Sequence, residues 1–177
     1  MTVADTISTL LSDEWALETT PKFVTMDYGH DSNFEKFDEN AVTPQVVVNG
    51  ETQKEYTHVV GCNYRVVHDI NILVFVKPVK YSSDAIDVAK ELFNAIITEI
   101  DWILSNKRFD ITGVVELKLS GWKILTQKKE EPIIFQAVQV TKALYYGVKD
   151  CRIWTNQDDC EAHGCTWNVC AGTCGET

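Results

Sequence analysis

Long apolar runs, positive charge and catalytic signatures are all scarce in this 177-residue chain. No window approaches the ~18 uninterrupted apolar residues of a membrane helix. The longest such stretch, Ile70 to Val76, is strand-sized and contains Asn71. The first residues, Met1-Thr-Val-Ala-Asp-Thr-Ile, carry neither a basic region nor a long apolar one, so a signal peptide is not expected. Lys and Arg number 16 against 26 Asp and Glu, a net charge of -10. That surface repels a phosphate backbone, and no Lys/Arg run offsets it, which argues against sequence-specific nucleic-acid binding. It would still suit a passage through which DNA slides without adhering.

Enzyme motifs are missing too. The nine glycines are scattered and form no phosphate loop, and neither G-x-S-x-G nor H-E-x-x-H occurs. Of the four histidines, His58 and His68 fall on an apolar strand face, where a hydrogen-bonded core or interface histidine is the plainer reading. His68 and Asp69 cannot form a dyad, because adjacent strand residues point to opposite faces. His30 lies in a polar loop beside Asp31, Glu35, Asp38 and Glu39. A calcium loop needs ligands at alternating positions, a turn glycine and a closing Glu, and only fragments of that pattern occur. Cys62 reads as a buried thiol, with no base nearby in sequence. No cofactor and no metal is expected.

Cysteine is nearly absent from the first 150 residues, where Cys62 stands alone, and then abundant. Cys151, Cys160, Cys165, Cys170 and Cys174 crowd into the last 27 residues, and Trp167 follows Cys165 closely. The chain therefore divides into a main domain, 1–150, and a cysteine-rich appendage, 151–177. So short a segment buries too little to fold on apolar contact alone, so disulfides are expected. Zinc is the competing reading, but the spacings are long and contain no C-x-x-C. Five is odd, so one cysteine stays free or pairs with Cys62 or another chain.

What is present suffices for a core. Apolar residues make up 45% of the chain, with five Trp, six Tyr and seven Phe. Ile7, Leu10, Leu11 and Trp15 recur at helical spacing and predict a helix from Val3 to Leu17, ended before Pro21. Short strands are expected at Phe23 to Met26 and at Gln45 to Val48, the latter closed by the turn pair Asn49-Gly50. From Tyr56 to Val76 the even positions are almost all apolar, which predicts one long strand bent near Gly61 or projecting beyond the domain.

Ser82 to Arg108 predicts a long central helix, with Ser82 or Ser83 as cap, Asp84 and Asp87 in its first turn, and Lys107 and Arg108 at its end. Its polar residues occupy one narrow stripe. The apolar arc is wider than one sheet covers, so the helix needs a second cover: the N-terminal helix or another subunit. Gly113 to Leu125 and Ile133 to Val148 are the last two strands, joined by the charged loop 127–132. The expected fold is α+β: an antiparallel or mixed sheet packed by a long central helix and an N-terminal helix, with a small disulfide-rich C-terminal appendage. Self-association is expected through the long helix (Trp102, Phe93), the long strand (Tyr64) and the hairpin loop (Lys128, Lys129, Glu130).

The order of elements in residues 1–148 resembles the tail terminator (tail completion) proteins of long-tailed phages and archaeal tailed viruses. The resemblance lies in an N-terminal helix entering an extended region, in the strand Tyr64-Arg-Val-Val-His-Asp-Ile-Asn-Ile-Leu-Val-Phe-Val leading into the helix Asp84 to Lys107, and in a closing hairpin ending Tyr145-Tyr-Gly-Val. It is a pattern of elements, not a signature motif. It implies a non-catalytic virion protein of the tail or neck, assembled in the host cytoplasm. Such a protein forms a ring, hexameric in that family, that ends the tail tube and joins it to the capsid connector. The implied partners are itself, the tail tube protein, the head-tail connector protein and genomic DNA passing without specific contacts, with no membrane. The appendage departs from the family pattern; its Cys160-Glu-Ala-His-Gly-Cys-Thr-Trp-Asn stretch resembles short Cys/Trp disulfide repeats of surface proteins. Disulfides in a chain without a signal peptide suit a particle released from the cell, or a thermophilic archaeal cytoplasm. Two other classes stay open: an extracellular or surface binding module with a disulfide-stapled C-terminus, and a small intracellular enzyme using Cys62 or the histidines.

Overall fold

The N-terminal helix starts where its sequence supplies a cap. In the computed structural model, which describes residues 2–26, 43–50, 54–60, 63–80, 82–127, 133–148, 166–168 and 173–175, α1 spans Val3–Asp13 behind a capping box. The Thr2 hydroxyl accepts from the Asp5 amide at 3.2 Å, and the Thr2 amide donates back to Asp5 Oδ2 at 2.9 Å. That backbone donor holds the Asp5 carboxyl below its ordinary range, with the Thr2 hydroxyl assisting. A carboxyl whose folded pKa is depressed stabilises the fold above its unfolded pKa, and the contribution disappears as pH falls through the folded value. Acid titration is therefore expected to loosen α1 below the ordinary aspartate range. Asp5→Asn, which removes the titrating carboxyl, is expected to abolish that step in a far-UV circular dichroism titration; an unaltered step would place its origin elsewhere.

The helix is shorter than its periodicity predicts. It stops at Asp13 because Trp15 and Leu17 fold back onto the core. Trp15 meets Phe23 edge-on at 5.4 Å and donates Nε1–H to the Thr19 carbonyl.

Six strands form one mixed sheet: β1 (Lys22–Met26), β2 (Gln45–Asn49), β3 (Lys54–Val60), β4 (Asn63–Val76), β5 (Glu116–Gln127) and β6 (Phe135–Val148). The order is β1-β2-β4-β6-β5, with β3 also on β4. Only β1 and β2 pair in parallel; the other neighbours are antiparallel. The long helix α2 (Ser83–Lys107) connects β4 to β5, capped by the Ser82 hydroxyl. After it, Gly113 adopts a φ of 79°, which suits a residue without a Cβ, and Ile111 and Val114 are buried before β5 begins.

One expectation is overturned. Tyr56 to Val76 is not a single strand but a hairpin, β3 and β4, joined through residues 61–62. His58 pairs with Tyr64 and Lys54 with His68. Directly paired residues share a face, and from Lys54 with His68 to His58 with Tyr64 both members of each pair have the same parity, so the alternation reads alike on both strands; the register shifts beyond His58, where Val60 pairs with Asn63. Nor does Asn49-Gly50 reverse the chain. β2 pairs residues 71–75 of β4 and β3 pairs residues 63–68, both antiparallel to it.

Both helices lie on one face of this sheet. Ala89, Phe93, Ile96, Ile100, Ile103 and Leu104 of α2 pack with Ile70, Ile72, Val74 and Val76 of β4, and Ile7 and Leu11 of α1 complete the cluster. Each such Val, Leu, Ile or Phe side chain contributes roughly 1.5–3 kcal/mol when fully buried. The opposite face carries a smaller cluster, Val47, Leu73 and Phe75. Two further strands, β7 (Thr166–Asn168) and β8 (Thr173–Gly175), form a separate antiparallel pair in the appendage, placing Trp167 opposite Cys174.

Candidate self-association surface

The long helix divides its apolar residues between two tasks. On the sheet side, Phe93 is only 4% exposed and meets Phe135 at 5.8 Å. It belongs to the core, not to the outer surface where self-association places it. On the outer side, Trp102 is 56% and Val88 64% exposed. Both belong to a stripe of alternating four- and three-residue steps: Asp84, Val88, Glu91, Ala95, Thr98, Trp102.

The wide apolar arc of α2 is largely accounted for within the chain. Ile86, Leu92 and Ile97 pack partly buried against the core. Along one flank runs the end of α1: the Ala16 amide donates to Glu99 Oε1 at 3.1 Å, and Lys107 pairs with Glu14 at 3.1 Å. On the other flank Asp101 Oδ1 accepts from Trp122 Nε1–H at 2.9 Å and from Gln139 Nε2 at 2.7 Å. Gln139 also donates to the Ser120 carbonyl, at 2.9 Å. This network explains an irregularity in β5, whose pairing with β6 shifts between Leu119 and Trp122. A bulge takes a backbone carbonyl out of the ladder, and the Gln139 amide, 1% exposed, satisfies it. With both flanks closed, Trp102 and Val88 are the large apolar residues of α2 left exposed.

Tyr64 is likewise interior, 4% exposed and edge-on to Tyr56 at 6.1 Å, and burial pushes its phenol up from the ordinary value. Its half-exposed neighbour Tyr56 is one of the surface groups at that end of the sheet. Lys128, Lys129 and Glu130 lie outside the described residues, as do His30, Asp31, Glu35, Asp38, Glu39, Cys62 and His163. Cys151, Cys160, Cys165 and Cys170 lie outside them as well, and Cys174 sits on β8.

His68 is buried, as its position on the apolar face predicts. Its Nε2–H donates to the Gly50 carbonyl at 2.7 Å, and its ring meets Tyr145 edge-on. Asp69 turns to the other face and pairs with Lys142 at 3.2 Å. The two do not form a dyad. Among the described residues no three His, Cys, Asp or Glu side chains group to hold a metal ion. No described helix is long and apolar enough to cross a membrane.

Sequence reasoning missed the charged groups on the face of the sheet away from the helices. Arg65 pairs directly opposite Tyr146, and Lys118 directly opposite Lys142. Only the strand register brings them together, and no spacing in the sequence announces it.

The chain matches no protein-family model and no curated protein.

Proposed function

We propose that this chain is a structural virion protein whose copies assemble into a closed ring, hexameric as in the tail terminators it resembles, that ends a tail tube and joins it to the capsid connector. The observation that carries this reading is the exposed Trp102 and Val88 stripe on a helix whose inner face and flanks are already filled. Exposed large apolar groups aligned on a rigid helix suit a subunit contact. The order of elements supports the same reading: α1 enters the sheet, β4 feeds α2, and the β5–β6 hairpin closes the domain.

In this reading the tail tube protein and the connector protein bind the two rims of the ring, and genomic DNA passes through it without specific contacts. The segment 2–20 carries Asp5, Asp13, Glu14 and Glu18 and no Lys or Arg, which suits a surface flanking a sliding polyanion. The protein is non-catalytic and resides in the tail or neck of the particle. The appendage, 151–177, is held by at least two disulfides among Cys151, Cys160, Cys165, Cys170 and Cys174.

Native mass spectrometry of the purified full chain, followed by intact mass with and without reductant after alkylation, tests both parts. A ring, with four or more oxidised cysteines, is expected. A monomer at high concentration would instead favour a binding module, and fewer than four oxidised cysteines would remove the stapled appendage.

A further inference from the structure

The two layers of the fold carry opposite charge. The helical layer, residues 2–20 and 82–108, has nine Asp and Glu against three Lys and Arg. On the sheet the described strands place nearly every charge on the face away from the helices. Register puts Lys22, Arg65, Lys118, Lys123 and Lys142 there, against Glu55, Asp69 and Glu116; only Lys54 lies on the helix side. An acidic chain thus carries a locally basic sheet face.

We propose that the outer face of α2 in one copy docks on the far sheet face of the next, at the exposed part of β5 and β6 beyond the buried Val47, Leu73 and Phe75 cluster. This rests on the self-association proposed above and specifies its two halves. The helix half is the stripe of Val88 and Trp102 with Asp84, Asp87 and Glu91 around its first turns. The sheet half is β6, where half-buried Val140 and Leu144 and exposed Tyr146 line up, flanked by Arg65, Lys118 and Lys142. The two halves match in length. Val88 to Trp102 spans about 21 Å along the helix, and Val140 to Tyr146 about 20 Å along the strand.

Lys118 directly opposite Lys142 is the sharpest feature. Like charges at directly paired positions destabilise a sheet. Among the described residues each ammonium has one carboxylate neighbour, Glu116 at 3.9 Å and Asp69 at 3.2 Å. The side chains are still 60% and 49% exposed, open to further carboxylates. Asp87 and Glu91 of a second copy supply them. Lys90 is the one exposed basic group among these helix turns, and it lies off the stripe. Because the two surfaces differ, the contact is heterologous and repeats from copy to copy, which builds a ring when the rotation closes.

The test is a charge exchange in the full chain, read by light scattering across a concentration series. Asp87→Lys with Glu91→Lys, or Lys118→Glu with Lys142→Glu, is each expected to raise the concentration needed for assembly more than about tenfold. All four changes together are expected to restore it. Should a reversal impair folding, Lys118→Gln with Lys142→Gln and a sodium chloride titration of the unaltered chain replace it, with assembly weakening as salt rises. Assembly that ignores the reversals and salt would overturn this docking while leaving the ring intact. Disruption by both reversals without rescue would overturn the pairing. A wild-type chain that stays monomeric would overturn both the docking and the ring.

Discussion

Trp102→Ala is expected to raise the concentration at which copies associate by about 30-fold or more, while the melting temperature of the isolated chain moves by no more than about 1–2 °C. The first number follows from what a central tryptophan contributes to an interface, about 2 kcal/mol or more when its pocket is fully desolvated. The second follows from where the side chain sits. At 56% exposure Trp102 supplies little to the core beneath it, and surface changes of this kind stay within about 0.5 kcal/mol. Phe93→Ala on the same helix separates the two effects. Its ring is buried against Phe135, so its removal is expected to cost the fold about 3–5 kcal/mol. Sedimentation velocity and thermal unfolding of both variants read the contrast. If Trp102→Ala lowers the melting temperature as Phe93→Ala does and leaves association untouched, Trp102 is a core residue and the surface assignment fails.

The second large effect concerns the core itself. Ile100→Ala is expected to destabilise the chain by about 2–5 kcal/mol, whereas Val88→Ala changes stability by about 0.5 kcal/mol or less. Ile100 is fully buried where α2 meets the sheet, so removing three carbons forfeits their transfer free energy and leaves a cavity. Val88 faces water, and alanine there also has the better helix propensity. For a chain of this length each kcal/mol moves the melting temperature by about 2–4 °C. Urea unfolding of the two variants gives the comparison directly. A cost below about 1 kcal/mol for Ile100→Ala would mean that α2 does not pack on the sheet as described.

The candidate surface was only half legible in the sequence. Trp102 and Phe93 are both aromatic residues on one amphipathic helix, and the wide apolar arc does not say which of them its own sheet will cover. The answer depends on the closing of the flanks, by Glu14 and Ala16 on one side and by the Asp101, Trp122 and Gln139 network on the other. Tyr64 illustrates the same limit from the strand side. Its face was readable, but not that the interior would take it while Tyr56 stayed outside.

The sequence by itself determined the elements whose causes are local. The Thr2 and Ser82 caps, the helical periodicities behind them and the alternation of Leu117 and Leu119 with Glu116 and Lys118 each act over a few residues, and the helices and strands follow them. The opposite faces of His68 and Asp69 follow from the strand's period alone. Tertiary structure decided the rest. It split Tyr56 to Val76 into a hairpin, which alternation cannot reveal because the pairs from Lys54 with His68 to His58 with Tyr64 share a parity. It set β1 parallel to β2 and put the β5 bulge where Gln139 satisfies the freed carbonyl. It also gathered Lys118 and Lys142, 24 positions apart in the chain, into one cross-strand pair. Register is a property of two strands meeting, and neither strand carries it alone.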